Sequence, residues 1–128
     1  MAFSQRRVLV VEDEFLAALT TVDLLESIGC EVVGPASRLA EALGLALSEP
    51  LDAAVLDINI AGELIWPVAR ALQRRSVPCV FLSAYSKMDL IPAPFDTCLC
   101  LSKPLEQRRL AGHLGGLWDT STNGSAAR

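Results

Sequence analysis

Four polar positions in this chain each close a run of apolar residues, and together they suit metal-assisted phosphoryl transfer to a carboxylate. Glu12-Asp13-Glu14 follows Val8-Leu9-Val10-Val11, Asp57 follows Ala53-Ala54-Val55-Leu56, Ser83 follows Val80-Phe81-Leu82, and Lys103-Pro104 follows the last apolar run. Carboxylates crowded together repel, and a hard divalent cation relieves them. Mg²⁺ favours a few carboxylates with several waters retained, and Mn²⁺ accepts the same donors. Asp13 and Asp57 are the expected direct ligands and Glu12 acts directly or through water. The main-chain carbonyl of Asn59 completes the set. An aspartate that attacks phosphorus needs its charge offset and the transferring oxygens clamped. With Asp57 as nucleophile, the ion holds one phosphoryl oxygen, the Lys103 ammonium a second, and the Ser83 hydroxyl with nearby backbone N–H groups a third.

Each residue also has a plainer reading. An acid after a strand can complement a helix dipole, and that is the preferred role for Glu14. Pro104 alone can start a helix, and Ser83 alone can be an N-cap. The set is more specific than any member.

The elements that must position these residues alternate. Buried strands are expected at Val8–Val11, Cys30–Val33, Ala53–Leu56, Val77–Leu82 and Thr97–Leu101. Helices are expected over Glu14–Ile28, from an N-cap at Ser37 to Leu47, over Leu64–Arg74, briefly over Lys87–Ile91, and from Pro104 to Trp118. In the first of these, Phe15, Leu16, Leu19, Val22, Leu25 and Ile28 recur near the 3.6 period, and Gly29 is the expected C-terminal cap. Strands alternating with helices predict an α/β fold with a parallel sheet, and order 2-1-3-4-5 is the common doubly wound solution at this size. In that order the crevice lies at the carboxyl ends of the strands, where Glu12, Asp13, Asp57, Ser83 and Lys103 fall.

Composition narrows the class. A chain of 128 residues, 52% hydrophobic and 20% charged, is one folded domain. Residues 1–5 are expected to be flexible, 6–118 to form the domain, and 119–128, rich in Ser, Thr, Gly and Ala, to be a disordered tail. No run approaches the ~18 apolar residues of a membrane span, and the N-terminus has no signal-like apolar stretch. A net charge of −4 argues against a nucleic-acid surface. Cys30, Cys79, Cys98 and Cys100 fit no zinc spacing and read as buried reduced thiols, which implies a cytoplasmic setting. His113 has no Cys or His nearby and reads as a surface residue.

Val10-Val11-Glu12-Asp13-Glu14, Val55-Leu56-Asp57, Phe81-Leu82-Ser83-Ala84 and Ser102-Lys103-Pro104 resemble, in order and spacing, the motifs of bacterial response regulator receiver domains. The resemblance covers residues 6–118. It implies a flavodoxin-like (βα)5 three-layer sandwich, an aspartyl-phosphate at Asp57 and Mg²⁺ dependence. It also implies a donor: a sensor histidine kinase or a histidine phosphotransfer protein. Phosphorylation and dephosphorylation would be self-catalysed, with no turnover of other substrates.

The resemblance breaks at Cys100, where most receivers carry the Tyr or Phe that acts as a rotamer switch. Pro78-Cys79-Val80-Phe81-Leu82-Ser83-Ala84-Tyr85 is similar to the subgroup marked by Phe-Ala-Thr-Gly-Tyr (FAT GUY), which lacks that ring and works with kinases of the HWE or related classes. Leu82, Ser83 and Ala84 replace three letters of that motif, and Leu105 stands where an aromatic often follows Lys-Pro. Tyr85 and the Pro-rich segment to Phe95 then become the expected output element. No output domain or helix-turn-helix is legible, so the expectation is a stand-alone receiver, monomer or weak dimer. It would act by binding an unknown downstream protein or relaying phosphate, with no direct nucleic-acid or membrane contact. Two readings compete. A pseudo-receiver would bind partners without phosphorylation. A haloacid-dehalogenase-type phosphatase would need a second acid where Asn59 stands, and has Ala61 where Thr or Val is usual.

Overall fold

The computed structural model describes residues 5–83, 91–98, 100–102 and 106–127. Residues 1–4, all but the last residue of the short helix expected at 87–91, Tyr85 and Lys103 lie outside them. The elements run β1 (Arg7–Val11), α1 (Phe15–Ser27), β2 (Glu31–Ala36), α2 (Leu39–Ser48), β3 (Ala53–Asp57), β4 (Asn59–Ile60), β5 (Glu63–Leu64), α3 (Trp66–Arg74), β6 (Cys79–Ser83), a 3-10 turn at Phe95–Thr97, β7 (Cys100–Ser102) and α4 (Gln107–Ala127). β1, β2, β3, β6 and β7 form one parallel sheet in the order β2-β1-β3-β6-β7, which is 2-1-3-4-5 when only its own strands are counted. This is the flavodoxin-like fold.

A central parallel strand is covered on both faces and so reads as an unbroken apolar run. Val8, Leu9, Val10 and Val11 are all fully inaccessible, and so are Ala53 to Leu56. Alternate side chains serve opposite layers. Val8, Val10 and Val55 pack with Leu25 of α1 and with Leu110, Leu114 and Trp118 of α4. Leu9, Val11 and Leu56 pack with Ala42 and Ala46 of α2 and Val68 and Leu72 of α3. On this second side three rings meet: Trp66 stacks on Phe95 at 5.8 Å, and Phe81 stands edge-on to both.

Several boundaries differ from expectation for identifiable reasons. β2 continues to Ala36 through Gly34-Pro35, a pair that would ordinarily end a strand. Its register with β1 shifts between Leu9 and Val11, and Gly34 (φ +99°) makes the close approach possible: a Cβ there would lie 2.8 Å from Ala36 N and 2.9 Å from Val10 O. Ser37 is not the N-cap of α2. Arg38 holds that position without a side-chain cap, and Glu41 reaches back to accept the Ser37 N–H at 3.2 Å. In α1 the buried stripe is Ala18, Thr21 and Leu25, whereas Phe15, Leu16 and Leu19 face solvent. The loop expected after Asp57 contains the β4–β5 hairpin, whose central residues Ala61 (φ 51°) and Gly62 (φ 85°) both take left-handed conformations, as a type I′ turn requires. β7 begins at Cys100 rather than Thr97, because Phe95–Thr97 turns to seat Phe95 in the core. α4 runs from Gln107 to Ala127, and none of its residues is a proline.

Candidate functional site

Register brings the acidic residues together. Val11 of β1 is level with Leu56 of β3, so Glu12 and Asp57 leave the sheet side by side, one residue further on. Glu12 and Asp57 are 2% and 7% exposed, while Asp13 is open to solvent. One carboxylate oxygen from each of the three lies within 4.8 Å of the others. On the far side of β3, Asp57 pairs with Leu82, which puts Ser83 one residue beyond Asp57 on the neighbouring strand. Ser83 in turn pairs with Ser102 of β7, the residue before Lys103.

The backbone around the cluster is fixed by hydrogen bonds. The Glu12 N–H donates to Ala36 O at 2.9 Å, and Glu12 Oε2 accepts the Glu14 N–H at 3.0 Å. Glu14 caps α1, its oxygens accepting from Leu16 N–H at 3.1 Å and Ala17 N–H at 2.9 Å. That is the helix-terminal role expected of it. Past Asp57, the Ile58 N–H donates to Leu82 O at 3.1 Å, and Ile65 N–H to Ile58 O at 2.9 Å. Asn59 opens the hairpin, where its Oδ1 accepts the Gly62 N–H at 3.0 Å.

Ala61 is the contributor that sequence reasoning missed. Its N–H donates to Asp13 Oδ2 at 2.8 Å and so fixes one oxygen of a carboxylate in the cluster. The signal was faint: an Ala-Gly pair between two short segments, without the Asn-Gly or Asp-Gly that usually marks a two-residue hairpin. Beside it lies an open cavity of about 670 Å³ bordered by Asp13, Arg38, Ala61 and Glu63.

Three clustered carboxylates, two of them buried and one keeping an open side, match the donor set of a hard, partly hydrated divalent cation. Among the described residues no other group of three or more His, Cys, Asp or Glu comes together in this way. Cys100 is half-buried, level with Phe81 of β6, and packs against the core that holds Trp66, Phe81 and Phe95. Burial pushes its thiol above the ordinary range.

Comparison with known proteins agrees with this arrangement. The model of the response regulator receiver domain matches residues 8–114. Among curated proteins, the transcriptional regulatory protein PdtaR of Mycobacterium tuberculosis is 33% identical over 87 residues, 67% of this chain and 42% of PdtaR. The chain thus spans less than half the length of that relative. Among solved structures, SdrG from Sphingomonas melonis Fr1 is 34% identical with a TM-score of 0.76, over 91% of this chain and 98% of SdrG. The response regulator PhyR from Brucella abortus is 26% identical with a TM-score of 0.79, over 98% of this chain and 54% of PhyR.

Proposed function

The chain belongs to the response regulator receiver family of two-component signalling, and on that premise we propose that Asp57 accepts a phosphoryl group from a phosphohistidine in a Mg²⁺-dependent reaction. The observation that carries this reading is the convergence of Glu12, Asp13 and Asp57 at one rim of the sheet, with Ser83 on the adjoining strand. Glu12, Asp13 and Asp57 would hold Mg²⁺ or Mn²⁺, with the Asn59 carbonyl as a further ligand. When bound, the ion supplies charge neutralisation and a fixed point for one phosphoryl oxygen. Asp57 attacks phosphorus in line, an O–P bond forms, and the P–N bond to the donor imidazole breaks. The Ser83 hydroxyl donates to a second phosphoryl oxygen and the Lys103 ammonium to a third, so catalysis is mostly positioning.

The donor is a sensor histidine kinase, of the HWE or related class, or a histidine phosphotransfer protein. Phe15 and Leu16, 74% and 68% exposed, begin α1 two and three residues after Asp13. A donor side chain that reaches Asp57 lies against them, which gives these apolar residues a use outside the core. The likeness to SdrG and PhyR, together with Cys100 in place of a ring, supports the FAT GUY assignment. In that reading the signal leaves through Ser83 and the loop containing Tyr85, toward a downstream protein or a further phosphoryl acceptor.

Incubation with acetyl phosphate and Mg²⁺ tests the chemistry. The wild type gains one phosphoryl group by intact mass and Asp57→Asn gains none. Absence of label on both, with a cognate phosphohistidine donor also tried, would replace this reading by a binding module that is never phosphorylated. Hydrogen exchange with and without beryllofluoride and Mg²⁺ tests the output route; unchanged protection over residues 83–96 would sink it.

A further inference from the structure

Away from the acidic rim, three thiols gather against one of the two cores that flank the sheet. Cys79, Cys98 and Cys100 all pack against the core shared with α2 and α3. β6 and β7 are parallel, with Phe81 level with Cys100. Cys79 opens β6, and Cys98 lies two residues before β7, whose pairing with β6 starts at Phe81 and Cys100. Cys79 and Cys98, but not Cys100, line one open cavity of about 450 Å³ between the end of α3 and residues 94–98. Gln73, Pro78 and Phe95 form other parts of its wall, so the two cysteines border one space that is open to solvent. The two also feel each other: burial, with a contribution from Cys98, pushes the Cys79 thiol up to about 12. Burial, then the charge of Asp96, raises Cys98.

We propose that Cys79 and Cys98 form a reversible disulfide, a modification site that gives the domain a redox input separate from Asp57. The oxidant is a small-molecule disulfide such as oxidised glutathione. Cys98 loses its proton, its sulfur attacks one glutathione sulfur, and a glutathione thiolate leaves. Cys79 is then deprotonated and attacks the Cys98 sulfur of the mixed disulfide, expelling the second glutathione thiolate. Two protein thiols are oxidised and one glutathione disulfide is reduced to two thiols. Because both thiols are held protonated, the pair equilibrates slowly with the prevailing thiol–disulfide ratio instead of reacting in a burst. The bond ties the segment carrying Phe95, and with it the Trp66 stack, to β6.

The full chain is equilibrated in glutathione redox buffers, free thiols are trapped by alkylation, and the peptides are mapped by mass spectrometry. A Cys79–Cys98 cross-link is expected in the wild type and in Cys100→Ser, is lost in Cys98→Ser, and is reversed by dithiothreitol. Its rate of formation should rise about tenfold per pH unit between pH 7 and 8.5, following the thiolate fraction. Wild-type mapping decides even where a variant folds poorly. Glutathione adducts without a cross-link, or a cross-link that uses Cys100, would overturn the proposal.

Discussion

Asp13→Asn should stabilise the protein without metal and destabilise it, relative to wild type, with metal. The substitution removes one charge from a trio whose oxygens lie within 4.8 Å; one such pair costs about 0.9 kcal/mol in a water-like dielectric and about 3.5 kcal/mol at an effective dielectric of 20. Asp13 is exposed, so the lower part of that range applies and the expected gain is about 1–2 kcal/mol. An asparagine Oδ1 still accepts the Ala61 N–H, so the hairpin contact survives and the charge is the only thing changed. In urea with EDTA, the midpoint should rise by about 0.5–1 M at an m-value of about 2 kcal/mol/M. Mg²⁺ at a hundred times its dissociation constant should then add about 2.7 kcal/mol to the wild type and much less to the variant, reversing their order. If the variant in EDTA is no more stable than wild type, the carboxylates do not repel as argued. If Mg²⁺ protects both equally, Asp13 is not a ligand.

Gly34→Ala should cost at least about 2 kcal/mol, read as a lower urea midpoint, since φ +99° is unfavourable to Ala and its Cβ would press on backbone of both β1 and β2. Ala61→Asn should instead gain about 0.5–1 kcal/mol in the same assay, because Asn tolerates the left-handed conformation that Ala61 is forced to take. Burial, then the charge of Asp52, raises the Cys30 thiol from 9.0 to about 11, and burial with Cys98 raises Cys79 to about 12. Unfolded thiols ionise near pH 9 while these stay protonated, so their contribution is complete below pH 9 and is lost as pH rises toward 11–12. Urea midpoints should therefore fall above pH 9, and Cys30→Ala should flatten part of that fall.

The sequence made the central strands legible because burial on two faces leaves no room for polar residues, so Val8–Val11 and Ala53–Leu56 announce both their place and the rim at which Glu12 and Asp57 emerge. The same logic misled over α1, where apolar spacing alone does not separate the core stripe of Ala18, Thr21 and Leu25 from the outward Phe15 and Leu16. Gly34-Pro35 looked like punctuation because local propensity says nothing of a strand held by a bulged partner. Ala61 was invisible as a site residue, because what it offers Asp13 is a backbone N–H that any amino acid but proline carries. Chemistry carried by side chains at strand ends can be read from a string of letters; chemistry carried by the main chain has to be seen.

The order in which the layers close also bears on how the chain is made. The α1 side of β1 and β3 is completed by Leu110, Leu114 and Trp118 of α4. Strand β1 leaves the ribosome before the rest of the domain, yet one of its faces stays wet until almost the whole domain has emerged. Trp118 then closes the seam, its Nε1–H donating to Asp52 O at 3.4 Å and its ring receiving the Arg6 guanidinium at 5.1 Å. A nascent chain halted near residue 106 would present Val8, Val10 and Val55 as an open apolar strip to whatever chaperone stands nearest. Docking of α4, followed through the emission of Trp118, would then mark the moment at which synthesis hands over a finished domain.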